Sequence, residues 1–377
     1  MSGARRPRIV VACTDAGGGH RATAQALAAL LGDGAETIIV NPYREALAHL
    51  DLFAQVLRVP GEEIYNRLML RRGLAGPVEF LFRRSLLMNI RLRAGDGQRA
   101  LTGLWTRLRP DLVISVMPWL NGLIAATVAG LSPAPGLAIM PTDMEETWPR
   151  QWFPAAGGYA AICGTDALAR AAGSRPVHRT TGLLIRDGFH PLGADAVAAG
   201  RAALGLEPGR PTMAILYGGH GSRRMLQLAR ALGTVSRPIQ AIFLCGHNGE
   251  LARAIAACDL PYPHHVAGYS DRIADLLGLG DLFVGKPGPG SISEALALGL
   301  PVLLDAARVL PQESCNLRWA QAEGYGEAFA DMRGFAHAVE RFAAGGMAEP
   351  GRRARGHANR AARELPGIVA ELLAARI

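Results

Sequence analysis

The feature that most constrains the fold of this chain is an alternation of short apolar runs with stretches of helical length. The runs in the first half are RIVVAC, TIIV, DLVISV, GLAIM and YAAIC. After residue 190 the pattern begins again with TMAILY, AIFLC, HHVAG, LFVG and VLLD. Short buried strands that alternate with helices form parallel sheets with helices on both faces. The pattern therefore predicts an α/β fold with two doubly wound parallel sheets.

The length of the chain agrees with two domains. A single hydrophobic core rarely grows beyond about 250–300 residues, and this chain has 377. The strand pattern restarts after TTGLLIRDGFHP, so we expect the boundary close to that stretch. We predict a first domain at 1–188, a second domain at 189–350 and C-terminal helices at 351–377.

One uncharged segment, residues 112–131, has the length of about 20 residues that a membrane-spanning helix needs. Pro118, Asn121 and Gly122 lie in its middle, and the β-branched run LVISV comes before them. A β-branched run followed by proline, asparagine and glycine is typical of a strand, a turn and a helix. We therefore predict a buried strand and a helix here rather than a membrane span.

The formal charge of +8 is carried almost entirely by arginine, since Lys286 is the single lysine. A basic balance is compatible with nucleic acid, an anionic membrane surface or a phosphate-bearing small molecule. Aromatic residues make up only 6% of the chain and do not alternate with basic residues as they do in proteins that bind single-stranded nucleic acid. We therefore expect no nucleic-acid partner.

The five cysteines are scattered and form no CxxC pair, which favours neither a zinc site nor a disulfide framework. The first apolar run stops at Thr14 and Asp15, before the core of a secretory signal could form. Both observations indicate a cytoplasmic protein.

Glycine clusters follow four of the predicted strands. In open parallel sheets ligands bind beyond the carboxyl ends of the strands, and glycine lets a ligand approach the backbone closely. We expect the backbone of Gly18, Gly19, Gly218 and Gly219 to lie close to bound ligands. If the loops of the two domains face each other, they form one cleft. The clusters are GGGH, GGHG, CGHN and KPGPGS.

The stretch DLFVGKPGPGSISEALALGLPVLL, residues 281–304, places a Pro-Gly loop between a strand and a helix. Ser291 is expected to cap that helix, with Gly288 and Gly290 in the loop. The backbone amides and the positive dipole end of such a helix suit a diphosphate. Glu294, one turn later, can accept hydrogen bonds from the two hydroxyls of a ribose. The alternative is an ordinary capped helix in which Glu294 only favours the dipole.

The same stretch, followed by PQESCN, resembles the donor-site signature of a family of UDP-sugar glycosyltransferases, the monogalactosyldiacylglycerol synthases and processive diacylglycerol glucosyltransferases. Other motifs resemble those of the family in the same order: DAGGGHR, PDLVISVMP, MPTDMEETWPRQWF and TTGLLIRDGF. The resemblance implies the GT-B fold, in which two Rossmann-like domains face each other across a cleft. It also implies that C-terminal helices pack back on the first domain.

The resemblance assigns the catalytic role to the first half of the chain. His20 is identified as the catalytic-motif histidine, which deprotonates the acceptor hydroxyl as that oxygen attacks the anomeric carbon. The alternative is a histidine that caps the helix or binds a ligand without moving a proton. Asp143 is the other candidate base, or it orients His20. The neighbouring Glu145 and Glu146 are expected to be solvated.

The resemblance assigns donor binding to the second half. Gln312 and Glu313 match a glutamine–glutamate pair that reads the sugar hydroxyls. Tyr269 lies where the family holds uracil through backbone groups, and ordinary packing of the tyrosine is the alternative. His220 departs from the family pattern and has no assigned role. The chain shows no DxD pair in a metal-binding context, so we expect amides and helix dipoles to stabilise the diphosphate without a metal or other cofactor.

The acceptor region is expected within residues 50–93, where arginines accompany regularly spaced apolar residues. An amphipathic surface of this kind can lie at an anionic membrane interface, and the solvated face of a core helix is the alternative. The resemblance implies that this region shapes a lipid acceptor site. The residues that make the pattern are Arg67, Arg71, Phe82, Leu86 and Ile90.

Together these features predict an inverting glycosyltransferase that moves a hexose from a UDP-sugar to a lipid hydroxyl such as that of diacylglycerol. The enzyme would bind peripherally to the inner face of the cell membrane. The alternatives are transfer to a polyprenyl-linked or soluble acceptor, a non-catalytic nucleotide-sugar-binding protein, and an epimerase. An epimerase would need further acidic groups to eliminate UDP, and the GGGHR opening argues against it.

Overall fold

A computed structural model describes most of the chain, namely residues 5–15, 18–51, 55, 58–65, 94–146, 152–307, 309 and 313–375. The chain forms two compact units. Unit 1 consists of residues 1–186 together with 359–377, and unit 2 consists of residues 187–358. The predicted amphipathic positions Arg67, Arg71, Phe82, Leu86 and Ile90 lie outside the described residues, and so does Gln312.

Unit 1 contains a parallel sheet with the strand order β2-β1-β3-β4-β5-β6. Its strands are β1 Arg8–Ala12, β2 Glu36–Val40, β3 Leu112–Ser115, β4 Gly136–Ile139, β5 Ala160–Cys163 and β6 Val177–Arg179. Of the four inner strands, β3, β4 and β5 are buried at every residue and β1 at every residue but the first, as the apolar sequence runs predict. The strand order reverses between β1 and β3, so a crevice opens there at the carboxyl ends of the strands.

Unit 2 contains a second parallel sheet with the order β12-β11-β10-β7-β8-β9. Its strands are β7 Thr212–Leu216, β8 Gln240–Leu244, β9 His264–Ala267, β10 Leu282–Gly285, β11 Val302–Asp305 and β12 Gly326–Phe329. Counted from β7, this is the order of a dinucleotide-binding Rossmann sheet. The order reverses between β7 and β10, which is the expected ligand position in such a sheet.

The two sheets confirm the predicted fold class of two Rossmann-like, doubly wound parallel sheets. Helices in the described part of the chain connect the strands or follow the last one. They are, in chain order, α1 Gly19–Leu31, α2 Pro42–Glu45, α3 Gly61–Tyr65, α4 Ala94–Leu108, α5 Asn121–Ala129, α6 Asp166–Ala172, α7 Ala194–Ala203, α8 Arg224–Leu232, α9 Gly249–Ala256, α10 Ile273–Gly278, α11 Pro289–Ala297, α12 Ser314–Ala322, α13 Met332–Ala343, α14 Ala348–Gly356 and α15 Ala361–Ala375.

The uncharged segment 112–131 forms strand β3, a turn and helix α5, as its punctuation predicts. Asn121 begins the helix and is buried. Its side-chain amide donates to the carbonyl of Trp152 at 2.8 Å, so the polar group in this apolar segment is satisfied inside unit 1. Across the described ranges, we find no helix that combines the length and the apolar character needed to cross a membrane.

The last helix, α15, completes the core of unit 1. Its buried residues recur at spacings of three and four and pack with strand residues such as Ile9 and Val11. The carboxylate of Glu364 accepts hydrogen bonds from the backbone amide of Thr181 at 2.6 Å and from its hydroxyl at 2.7 Å. Helices α13 and α14, in contrast, belong to unit 2. The buried residues of α15 are Ala361, Leu365, Ile368, Val369 and Leu372.

Candidate functional site

The glycine turn of unit 1 places His20 at the crevice between β1 and β3. Helix α1 begins at Gly19, and Gly18 before it has a φ of 81°, in the left-handed region that favours glycine. A Cβ atom built on Gly18 or Gly19 would meet no atom of the described residues within 4 Å. The turn therefore has open space beside its backbone. Substrate contact at these two glycines stays a prediction.

Two neighbours hold the imidazole of His20 at one nitrogen. Nδ1 lies 2.9 Å from the carbonyl oxygen of Val116 and 3.0 Å from the hydroxyl oxygen of Thr142. A carbonyl can only accept a hydrogen bond, so we assign the imidazole proton to Nδ1, which donates to Val116. In this tautomer the lone pair is on Nε2, and Nε2 is the atom that can accept a proton.

The surroundings of His20 favour the uncharged imidazole. Burial lowers the pKa of His20 to about 4, and the hydrogen bond to the Val116 carbonyl opposes part of this shift. The fully buried ring of Trp152 lies beside it, with ring centroids 6.0 Å apart. His20 is therefore neutral near pH 7, with a lone pair available for proton transfer.

Asp143 is buried and its described hydrogen bond goes to Trp152. Its Oδ2 accepts from the indole Nε1 of Trp152 at 3.0 Å. The described contacts of His20 Nδ1 are with Val116 and Thr142, so this bond of Asp143 reaches His20 only through the indole ring. The structure thus gives Asp143 a way to position the ring that packs against the histidine.

Glu146 corrects one expectation, because it is not merely solvated. Its carboxylate accepts from the backbone amide of Trp152 at 3.2 Å and from that of Phe153 at 3.0 Å. These amides lie in a loop and have no strand partner, so the carboxylate supplies the missing acceptor. Glu146 therefore anchors the loop that carries Trp152.

A polar network that sequence reasoning missed fixes the chain just before the glycine turn. The buried carboxylate of Glu62 accepts from the backbone amide of Asp15 at 2.9 Å and from the side-chain amide of Asn41 at 2.9 Å. Arg44 donates to the same carboxylate at 3.1 Å. Asp15 in turn accepts from Arg21 at 2.7 Å. Glu62 belongs to no motif, so nothing in the sequence pattern marked it.

In unit 2 the helix that follows the Pro-Gly loop begins earlier than predicted. Gly288 is the N-cap residue of α11 and Pro289 is the first helical residue. Ser291 therefore lies inside the first turn, and the prediction that it caps the helix is wrong. The fixed φ of proline suits the first helical position, which explains the early start. The exposed Gly290 also lies in this turn, at the positive end of the helix dipole.

The single lysine lies at the point where the strand order of unit 2 reverses. Lys286 follows β10, and its Nζ is 2.7 Å from Oε1 of Glu313. The side chains of Lys286 and Glu313 are 29% and 10% exposed. A Cβ atom built on Gly218 or on Gly288 would lie 3.8 Å from Cε of Lys286. The structure therefore brings together four residues from three predicted motifs: Gly218, Lys286, Gly288 and Glu313.

Glu294 is the sixth residue of α11 and is only 7% exposed. Its predicted role as a partner for ribose hydroxyls stays a prediction.

Aromatic rings lie at the carboxyl ends of β7, β8 and β9. Tyr269 is 62% exposed, which excludes ordinary core packing of this tyrosine. It stacks on His247 with ring centroids 4.1 Å apart, and His220 lies 5.9 Å from His247. The loops cross closely here, since a Cβ atom on Gly246 would stand 2.2 Å from the carbonyl oxygen of Gly219. His220 and His247 thus support the exposed face that Tyr269 presents.

The part of the chain that the structure describes contains no group of three or more His, Cys, Asp or Glu residues suited to hold a metal ion. The expectation of a site without metal or cofactor stays a prediction.

Comparison with known proteins places this geometry in context. No family model matches the chain. The monogalactosyldiacylglycerol synthase of Spinacia oleracea is 25% identical to it over 342 residues, which is 85% of this chain and 63% of the relative. The chain therefore spans less than two thirds of the length of this relative.

Solved structures of glycosyltransferases share the fold. MurG of Acinetobacter baumannii is 12% identical, with a TM-score of 0.60 over 97% of this chain and 100% of the other. UGT2 of Phytolacca americana, complexed with UDP-2-fluoro-glucose and pterostilbene, is 11% identical, with a TM-score of 0.57 over 97% of this chain and 99% of the other. The chain is therefore identified as a relative of the monogalactosyldiacylglycerol synthases that is built on the GT-B fold of glycosyltransferases.

Proposed function

We propose that this protein is an inverting glycosyltransferase that moves a hexose from a UDP-sugar to a lipid hydroxyl such as that of diacylglycerol. The observation that carries the proposal is the similarity over 342 residues to a monogalactosyldiacylglycerol synthase. The name of that relative supplies both the sugar class and the lipid class. The neutral histidine at the crevice of unit 1 adds a group able to do the chemistry.

The proposed reaction is a single displacement. Nε2 of His20 takes the proton of the acceptor hydroxyl while the acceptor oxygen forms a bond to the anomeric carbon. The bond between that carbon and the oxygen of the β-phosphate breaks, and UDP leaves with the electron pair. The Val116 carbonyl, which already accepts from Nδ1, stabilises the imidazolium that forms. One displacement at the anomeric carbon inverts its configuration.

Unit 2 supplies the proposed donor site. The backbone amides of Gly290 and Ser291, in the first turn of α11, suit the diphosphate because they lie at the positive end of the helix dipole. We propose that Glu294 binds the ribose hydroxyls. The UDP-2-fluoro-glucose held by a protein of the same fold supports a UDP-sugar as donor. The remaining proposed donor contacts are Gly218, Gly219, Tyr269, Gly288, Gln312 and Glu313.

We further propose that neither a metal nor another cofactor takes part, because amides and the helix dipole can stabilise the leaving diphosphate. A diacylglycerol acceptor resides in a bilayer, so the protein would act at a membrane surface. The formal charge of +8 favours an anionic surface, and the cytoplasmic face of the cell membrane is the proposed location.

The test is release of UDP by the purified full chain. UDP-glucose, UDP-galactose and UDP-N-acetylglucosamine are each supplied with and without vesicles that contain diacylglycerol. We expect release only with vesicles, a glycolipid product by mass spectrometry, and a β-anomeric proton in its NMR spectrum.

Other outcomes point to the alternatives. Release with a polyprenyl-linked or soluble acceptor, and none with diacylglycerol, would overturn the lipid part of the proposal. UDP binding by calorimetry without release in any combination would leave a nucleotide-sugar-binding protein. An α-anomeric product would overturn the single displacement.

A further inference from the structure

We propose that Lys286 is a positioning residue that holds the carboxylate of Glu313 in the orientation that recognises the hydroxyls of the donor sugar. Lys286 does not bind the diphosphate in this proposal. The inference rests on the proposed function, since it assumes a UDP-sugar at unit 2.

The first observation is the presence of lysine itself. The chain has 40 basic side chains of lysine and arginine, and Lys286 is the only lysine among them. Lysine and arginine differ in shape, because an ammonium is a compact point charge whereas a guanidinium is a broad planar fork. A chain that uses arginine at every other basic position therefore places its one compact point charge at Lys286.

The second observation is that two glycines line the stem of Lys286. Gly218 and Gly288 flank the stem, and a Cβ atom on either would lie 3.8 Å from Cε. The carbonyl of Lys286 also accepts from the amide of Gly288 at 2.8 Å, which fixes the backbone on one side. The stem of Lys286 therefore lies against the glycine loops that the sequence predicts as a ligand cradle.

The third observation is the hydrogen bond between the ammonium of Lys286 and one oxygen of Glu313. Its ammonium donates to Oε1 of Glu313 at 2.7 Å, and the carboxylate is almost completely buried. A bond at Oε1 fixes the plane of the carboxyl group, while the lone pairs of Oε2 remain suited to accept from hydroxyls. Glu313 directly precedes α12, so its backbone is also held by the start of a helix.

The same ion pair argues against a phosphate-binding role for the lysine. The charge of Lys286 is already compensated at contact distance by Glu313. An added diphosphate would meet the carboxylate as well as the ammonium, and the repulsion between the two anions would offset the attraction. A neutral sugar hydroxyl meets no such repulsion, because it donates to the carboxylate.

The first experiment compares the affinities of UDP, UDP-glucose and UDP-galactose by calorimetry. We expect Lys286→Gln and Glu313→Gln to leave the Kd of UDP unchanged and to lower the ratio of UDP-sugar affinity to UDP affinity by about tenfold. The double variant should lose no more than either single variant, because both remove the same recognition. Lys286→Arg should keep the ratio only in part, since a planar guanidinium cannot reproduce the single contact of the ammonium with Oε1 of Glu313.

A matched control is Arg210→Gln, which breaks another ion pair of unit 2, between Arg210 and Glu207 at 2.8 Å. This variant should change the affinity for neither UDP nor the two UDP-sugars. A Lys286→Gln variant that loses UDP and UDP-sugar affinity equally would overturn the inference in favour of diphosphate binding. Unchanged affinities for all three nucleotides would show that the lysine has no part in recognition.

The second experiment uses the unmodified sequence and does not depend on how a variant folds. Reductive methylation with ¹³C-formaldehyde labels only Lys286 and the terminal amine, and dimethyl-lysine keeps its charge. We expect the Lys286 signal to shift with UDP-glucose or UDP-galactose and to remain in place with UDP. The Lys286→Arg variant identifies the signal of the terminal amine.

Each failure has its own meaning. Equal shifts with UDP and with the UDP-sugars, or no shift while calorimetry shows that all of them bind, would overturn the role of Lys286. Absence of any UDP binding by calorimetry would overturn the proposed function, and the inference with it.

Discussion

His20 in unit 1 and Lys286 in unit 2 both lie where the strand order of their sheet reverses, yet the electrostatic surroundings of the two side chains are opposite. His20 is held by a carbonyl and a hydroxyl, and burial lowers its pKa to about 4. Lys286 is held by a full opposite charge on Glu313 at 2.7 Å. The same kind of sheet can therefore keep a side chain uncharged for proton transfer, as at His20, and hold an ion pair in a fixed orientation, as at Lys286 and Glu313.

The largest expected effect comes from replacing His20. His20→Asn removes the only group proposed to take the acceptor proton, so kcat should fall by about 10²–10⁴-fold. The affinity for UDP should not change, because the proposed donor contacts belong to unit 2. Turnover and calorimetric UDP binding, measured on the same preparation, check both statements.

The exposed His49 of the same unit provides the control, and His49→Asn should retain full activity. A His20→Asn variant that keeps more than about a tenth of the activity would show that His20 is not the base.

A second prediction concerns a variant that alters only unit 2, which holds the proposed donor site. Gly246 has a φ of 56°, and an added Cβ atom would stand 2.2 Å from the carbonyl oxygen of Gly219. Gly246→Ala should therefore destabilise unit 2 by about 2–4 kcal/mol and weaken UDP binding. Thermal unfolding and calorimetry measure the two effects.

Gly345→Ala is the matched control in the same unit. Its φ is 88°, but in the part of the chain that the structure describes an added Cβ atom would meet nothing within 4 Å. The free energy of unfolding of this variant should fall only by what the left-handed backbone costs an alanine, about 1–2 kcal/mol. Equal losses for the two alanine variants would mean that the close approach to Gly219 does not matter.

A third prediction uses pH to separate the two sites. The pKa of His20 is about 4 in the folded chain and 6.5 without the protein environment. Between these values the unfolded chain binds a proton that the folded chain does not, so the free energy of unfolding falls as the pH falls from about 6.5 to about 4. Because His20 is partly exposed, we expect its contribution to this fall in the free energy of unfolding to be about 1–2 kcal/mol.

Chemical unfolding of the wild type and of His20→Asn at pH 7.5, 5.5 and 4.5 gives this share as a difference. His265 and His357, whose pKa values burial also lowers, act equally in both proteins and cancel. A difference between the two proteins that does not change with pH would contradict the assignment of a depressed pKa to His20.

The smallest expected effect concerns Asp143. Asp143→Asn keeps an oxygen that can accept from the indole of Trp152, so activity should fall by about tenfold or less. Trp152→Phe, which removes the indole N–H, should give a similar loss. A loss for Asp143→Asn as large as that for His20→Asn would instead make Asp143 the proton acceptor, and kcat for the three variants decides between the two.

The inner strands of both sheets could be predicted from the sequence, and so could the edge strands β2 and β9, whereas the edge strands β6 and β12 could not. Inner strands are covered on both faces and therefore read as continuous apolar runs, as in RIVVAC and LFVG. The edge strands VHR and GEAF are short, mostly only partly buried, and include polar residues. They have no run to recognise.

The motif residues of the sites could also be predicted, but their partners could not. The atoms that hold His20 belong to Val116 and Thr142, which are 96 and 122 residues away in the chain. Glu313 is 27 residues from Lys286. Such contacts arise only when the sheet brings strand ends together, so a pattern of neighbouring residues does not show them. The early start of α11 is a smaller error of local origin, since Pro289 and Ser291 both suit a helix start.

The return of α15 to unit 1 has a consequence for synthesis of the chain. Unit 2 is one continuous stretch, whereas the core of unit 1 needs residues near the amino terminus together with Leu365 and Leu372. At about 5–20 residues per second, roughly 10–40 s separate the translation of residue 186 from that of residue 372. During that time the apolar surface that α15 will cover stays exposed on the ribosome-bound chain. Unit 2 has all of its residues first, although it comes later in the sequence, and unit 1 needs protection from aggregation until its last helix is made.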